Sequence, residues 1–159
     1  MRFTLRDYQQ EAIQSAMQAR REGLRRLLIC LPTGAGKTVI FSELCRIATH
    51  NVLVLAHREE LLQQARSKIA QMTENKIKIS IEQGDMHSSS DAKVVVASIR
   101  SLRSDRLQAL QKRHNFGLII YDECHHAAAD DNKRVLEELG AFDPDWTGTL
   151  IGFTATTKR

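Results

Sequence analysis

Residues 27–31 (LLICL) form an uninterrupted apolar run. Pro32, Thr33, Gly34, Ala35, Gly36, Lys37 and Thr38 follow at once, and a segment of helical spacing comes next. Strand, glycine-rich turn and helix in that order constrain the fold more than any other feature of the chain. The glycines let the backbone turn tightly, so that successive N–H groups can point inward at phosphate oxygens. The helix adds its own free N–H groups and the positive end of its dipole. Lys37 supplies a full positive charge suited to β- and γ-phosphates, and the Thr38 hydroxyl is a hard oxygen ligand suited to Mg²⁺. Leu31 stands where the standard phosphate-loop pattern has its first glycine. The dinucleotide pattern G-x-G-x-x-G fails as well, because Val39 occupies its third glycine position, which argues against a dinucleotide cofactor. A glycine-rich turn that binds nothing is the plain alternative, and the ordered flanking elements weigh against it.

Further apolar runs of strand length occur at 52–56, 77–81, 94–97, 118–121 and 150–153. Several are continuously apolar and rich in Val and Ile, as strands covered on both faces are. Helix-like segments at 7–21, 37–49, 59–72, 102–113 and 132–139 lie between most of them. In the first, Tyr8, Ala12, Ile13, Ala16 and Met17 share one face, and Asp7 is a suitable N-cap. This alternation predicts an α/β domain with a mainly parallel sheet and helices on both faces. Ligands of such sheets bind at the carboxyl ends of the strands.

One of those ends carries the second constellation. The run 118–121 leads into Asp122, Glu123, Cys124 and His125. Adjacent carboxylates at the end of an apolar strand are costly unless something compensates them. Side chains alternate along a strand, so the two point differently. Asp122 can then hold Mg²⁺, and Glu123 can position or deprotonate an attacking water. An acidic strand end facing solvent is the alternative, weakened by the phosphate loop upstream. Cys124, His125 and His126 lack a second Cys/His cluster to complete a zinc site.

With 159 residues the chain has room for one domain, 1–159. Its 42% hydrophobic and 26% charged residues exclude disorder and collagen-like classes. No run approaches a membrane span, and the start MRFTLRDYQQ lacks the apolar core of a secretory signal. Three cysteines without C-x-x-C spacing point to a reducing, cytoplasmic setting. The net charge of +4 conceals an uneven distribution. Arg100, Arg103, Arg106, Lys112 and Arg113 oppose only Asp105, whereas 127–146 holds six carboxylates against Lys133 and Arg134. Either segment can equally be a solvated helix face.

In series, these residues resemble the first RecA-like domain of superfamily 2 helicases and translocases. LRDYQ is similar to the adenine-reading segment of that family, which implies Arg6 and Gln9 against the base. PTGAGKT resembles its phosphate loop, implying nucleotide contacts from Thr33, Gly34, Ala35, Gly36, Lys37 and Thr38. The family often replaces the first glycine, as Leu31 does here. VLVLAHREELLQQ and VVVASIRSL resemble its nucleic-acid contact segments and carry over Arg58, Ser98 and Arg100. DECH resembles its Mg²⁺ and water-activating motif, with Asp122, Glu123 and His125. GFTATTKR resembles the segment coupling nucleotide to nucleic acid, through Thr154 and Thr156. The spelling DECH, with LRDYQ and SIRSL, is most similar to type III restriction-enzyme motors and related DNA helicases.

The resemblance implies an ATP-binding and ATP-hydrolysing RecA-like P-loop domain that uses Mg²⁺ and acts on nucleic acid, DNA favoured over RNA. Its basic segment would lie on the nucleic-acid side, positioning the backbone rather than reading sequence. The family works with two RecA-like domains, and the second, with its arginine fingers, has no counterpart in this chain. An arginine finger contributes roughly 10³–10⁵ in rate. The chain alone is therefore expected to bind nucleotide weakly, hydrolyse it very slowly and unwind nothing. A stand-alone nucleotide-binding regulatory module is the alternative from another class.

Overall fold

The structure is a computed structural model that describes residues 6–32, 36–56, 59–122 and 129–156. Six strands and five helices alternate along these residues. They are α1 (Asp7–Arg21), β1 (Arg26–Pro32), α2 (Lys37–Ile47), β2 (Asn51–Ala56), α3 (Glu59–Met72) and β3 (Ile79–Glu82). After them come β4 (Val94–Ser98), α4 (Ser104–Arg113), β5 (Phe116–Asp122), α5 (Ala129–Glu138) and β6 (Thr149–Thr156). The strands form one sheet in the order β1-β6-β5-β2-β4-β3, and every pairing between them is parallel. Parallel neighbours need crossovers, which the helices supply except between β3 and β4, where residues 83–93 make the connection.

Period-two alternation sorts each strand between two cores. Val52, Val54, Val94, Val96, Ile120, Ile151 and Phe153 face α1, α2 and α3, meeting Ile13, Ile40, Leu44, Leu62 and Ile69. Leu53, Leu55, Val95, Ala97, Ile119 and Leu150 face the other side, against Leu107 and Leu110 of α4 and Val135, Leu136 and Leu139 around α5. The three-layer sandwich follows, with the central strands β2 and β4 almost wholly buried. Each such aliphatic side chain contributes about 1.5–3 kcal/mol on burial. Phe41 of α2 meets Phe153 of β6 edge to face, with ring centroids 5.9 Å apart.

The structure departs from the sequence reading in several places. Arg6, not Asp7, is the N-cap of α1, because its carbonyl already accepts the N–H groups of Gln9 and Gln10 at 3.0 Å. Asp7 lies in the first turn instead, where the helix dipole favours a carboxylate. The helix expected over 102–113 starts only at Ser104, and a 3-10 turn, Ile99–Ser101, precedes it. Ile99 and Leu102, three apart and fully buried, set that tighter turn. β1 lies at the sheet edge and is covered on one face only. Its Leu27 and Ile29 pack on the first core, while Leu28 is 54% exposed. β3 runs to Glu82, one residue beyond the apolar run and two residues late at its start.

Candidate functional site

Because every strand runs the same way, their carboxyl ends share one rim. Pro32 of β1 is in register with Thr156 of β6, and Cys30 with Thr154. On its other side β6 pairs with β5, Tyr121 opposite Gly152 and Asp122 opposite Phe153. β6 therefore lies between the strand entering the phosphate loop and the strand ending in the first carboxylate. Sequence order alone, which separates these three by about 30 to 120 residues, does not show this.

The loop enters α2 through Gly36, whose φ of 76° and ψ of 44° place it in the left-handed region. Glycine is required there twice over, because a Cβ would also come within 2.8 Å of Gln9 Nε2. Gly36 offers no side-chain cap, and the first turn of α2 has no acidic residue. An amino-terminal helix end that lacks both retains its N–H groups and positive dipole end for an anion. Thr38 is half-buried, and its carbonyl accepts the Ser42 hydroxyl at 2.7 Å. A narrow cleft of about 40 Å³ joins Thr38 to Ala56 of β2, Tyr121 of β5 and Phe153 of β6. Thr38 thus stands beside the strand end that carries Asp122.

Gln9 is 4% exposed and ties α1 to the loop. Its Oε1 accepts the Arg6 N–H at 2.9 Å, and its Nε2 donates to the Gly36 carbonyl at 3.5 Å. Arg6, whose backbone N–H Gln9 accepts, is exposed. Tyr121 stands against Gly152, where a Cβ would lie 2.5 Å from the ring carbon Cζ. Thr154 is half-buried on the rim.

Ser98 and Arg100 sit elsewhere on that rim, beyond β2. Ser98 ends β4 and is 5% exposed, while Arg100 projects from the 3-10 turn into solvent. Thr33, Gly34, Ala35, Arg58, Glu123 and His125 lie outside the described residues. Lys37 opens α2, and Asp122 and Thr156 end β5 and β6.

The basic segment needs correction. Arg106 and Arg113 are not free for a polyanion, because both turn onto Glu82, whose side chain is fully buried. Arg106 Nε lies 2.5 Å from Glu82 Oε2, and Arg113 Nη2 lies 3.0 Å from Oε1. Arg106 also donates to the carbonyls of Gly84 and Met86, and the Ser88 N–H donates to Glu82 at 2.7 Å. Burial alone would push the Glu82 carboxyl up, but the Ser88 N–H and Arg106 outweigh it and hold it below the usual carboxylate range. The cluster staples residues 83–91 to α4. Sequence reasoning missed it because Glu82 reads as an ordinary polar residue closing a strand. Arg100, Arg103 and Lys112 remain exposed cations on this side.

Comparison with known proteins fits this geometry. Residues 2–159 match the family described as type III restriction enzyme, res subunit. The chain belongs to that family. Within the res-subunit family and its kin, it is 38% identical over 161 residues to the putative mitochondrial ATP-dependent helicase irc3 of Schizosaccharomyces pombe. That match covers 98% of this chain and 26% of the relative. It is 27% identical over 158 residues to the DNA 3'-5' translocase XPB2 of Sulfurisphaera tokodaii, covering 99% of this chain and 32% of the relative. The chain thus spans about a quarter to a third of the length of these relatives. Among solved structures, the UvsW helicase of bacteriophage T4 superposes with a TM-score of 0.67 at 21% identity, over 96% of this chain and 53% of that one. The fold is that of the first RecA-like domain of superfamily 2 helicases, as the motifs imply.

Proposed function

We propose that this chain is the nucleotide-hydrolysing RecA-like domain of an ATP-dependent DNA helicase or translocase. The observation that carries the reading is the shared rim, on which β6 lies in register between β1 and β5. A change in the nucleotide corner then bears directly on the coupling strand. The names of the irc3 and XPB2 relatives support an ATP-driven motor, and the latter supports DNA.

In this reading the loop 33–38 cradles the phosphates and Lys37 neutralises the β- and γ-oxygens. The uncapped start of α2 and the Thr38 hydroxyl beside β5 fit a Mg²⁺–nucleotide, with Thr38 and Asp122 holding the ion. The ion would supply charge neutralisation on the phosphates. Glu123 takes a proton from the attacking water. Arg6 and Gln9 meet the base. Arg58, Ser98 and Arg100 hold the nucleic-acid backbone, and His125, Thr154 and Thr156 pass the nucleotide state to it. A second RecA-like domain of the parent protein completes the engine, and the 159-residue chain alone turns over very slowly.

ATPase assays of the full-length protein with and without duplex DNA, single-stranded DNA and matched RNA test this. DNA should stimulate turnover, with a steep loss of binding as salt rises. Lys37→Ala should abolish nucleotide binding, whereas Glu123→Gln should retain it and lose turnover. Stimulation by RNA alone would move the substrate to RNA, and undiminished turnover in Glu123→Gln would remove its role.

A further inference from the structure

The opposite rim of the sheet, at the amino ends of the strands, holds a cavity of about 520 Å³. That size falls within the range of small-molecule sites. It is separated from the phosphate loop by the length of β1, about 20 Å at roughly 3.3 Å per residue. Arg20 near the end of α1, Arg25 before β1, His50 before β2, Phe116 at the start of β5 and Trp146 before β6 contribute to its walls.

Three features give the cavity a chemical preference. The first is charge. Arg20 and Arg25 both line it, and among the described residues no carboxylate lines it or pairs with either arginine. Arg20 donates to the Thr149 hydroxyl, and Arg25 donates to the Thr147 carbonyl at 3.1 Å. Each guanidinium carries five N–H donors, so these bonds orient it and leave donors over. The carboxyl end of α2 also reaches the cavity, but its dipole amounts to about half a negative charge against two full positive ones.

The second feature is the aromatic wall. The Trp146 ring stands over Gly148, where a Cβ would come within 2.3 Å of the indole. His50 stands over Gly117, where a Cβ would lie 2.6 Å from the His50 Cβ and 3.0 Å from its ring. Two glycines thus make room for two rings and fix where they lie. The third feature is the apolar floor, to which Met17, Leu118 and Ile151 contribute.

We propose that this cavity is a second ligand site, specific for a drug-sized aromatic anion. A flat ring system lies along Trp146 and His50, and its single carboxylate, sulfonate or phosphate meets Arg20 and Arg25. Planar guanidinium forks suit such oxyanions.

The probe is 8-anilinonaphthalene-1-sulfonate, titrated into the 159-residue chain. Trp146 is the single tryptophan, so its fluorescence reports the cavity itself. The expected result is saturable one-to-one binding with quenching of Trp146, unchanged by saturating Mg²⁺–ATP. Arg25→Gln and Arg20→Gln should each weaken binding at least tenfold, and Arg25→Lys should restore most of it. Uncharged N-phenyl-1-naphthylamine should bind the unaltered chain at least tenfold more weakly, a comparison that stands even if a variant fails to fold. Absence of binding, equal affinity for the uncharged analogue, full affinity in folded Arg25→Gln, or displacement by ATP would each overturn the proposal.

Discussion

Gln9 and Gly36 are joined across 27 residues of sequence, the carboxamide of one lying over the backbone of the other. α1 is thereby fastened to the loop end of α2 at the point where the backbone turns left-handed. Substitution here should fail for two separable reasons. Gly36→Ala forces an L side chain to φ near +76° and drives its Cβ onto Gln9 Nε2. The left-handed conformation costs about 1–2 kcal/mol. Nucleotide titration is expected to show about a tenfold loss or more. Because Gln9 also meets the base in the proposed reading, thermal stability separates the two effects: adding Gln9→Ala should restore only part of the stability that Gly36→Ala loses, because it removes the collision and leaves the strain. Complete restoration would show that the backbone conformation carries no strain.

Glu82 sets the second expectation. Glu82→Ala leaves Arg106 and Arg113 without their carboxylate inside a largely buried corner, and losing one partner of such a cluster costs about 3 kcal/mol. Urea unfolding should record a loss of that order. A substitution at the exposed Arg100 should leave stability almost unchanged while weakening nucleic-acid binding. Comparable destabilisation by both would mean the basic segment is a single structural unit.

The same corner fixes the direction of the pH response. His114 is buried, donating to or accepting from Ser88 Oγ through Nε2 at 3.0 Å and stacking on Phe116. Burial first, and the charge of Arg113 second, lower its pKa. Its neutral form stabilises the fold above the ordinary histidine value of about 6.5, and that contribution drains away as pH falls below it. Glu82, also lowered, contributes above the usual carboxylate value and loses its share as pH falls further, through its folded value. Denaturant unfolding from pH 7.5 downward should show stability falling in these two stages. His114→Gln should remove the upper stage alone.

Tyr121 and Gly152 offer a test of the rim. Gly152→Ala inserts a methyl group 2.5 Å from the Tyr121 ring, and overpacking of this kind costs roughly 1–3 kcal/mol. Thermal melts should register the loss, and Tyr121→Ala combined with Gly152→Ala should be less than additive. Additive losses would mean the ring already moves freely away from β6.

Much of this architecture is legible from residue patterns. The bounds of α1 and α3 follow from 3.6-residue spacing, and β2 and β4 from continuous Val and Leu runs. The loop and the carboxylate strand are legible because their chemistry is concentrated in a few adjacent residues. The Glu82 cluster is not, since its arginines lie 24 and 31 residues downstream and a charged residue in isolation looks solvated. The edge position of β1 is equally hidden. An apolar run such as LLICL looks the same whether helices cover one face or two, and strand order is a property of the whole sheet.

That edge position bears on how the phosphate loop is held. β1 has a neighbour on one side only, so its backbone is braced by a single ladder while β2 has two. Of the strands that frame the nucleotide corner, it is the one whose opening breaks the fewest bonds, and local opening is cheapest where bracing is least. A ligand gripped by the loop would therefore do mechanical work on the sheet as well as chemistry at its rim. By tethering β1 to α2 through the phosphates, it would brace the one edge strand that frames the nucleotide corner.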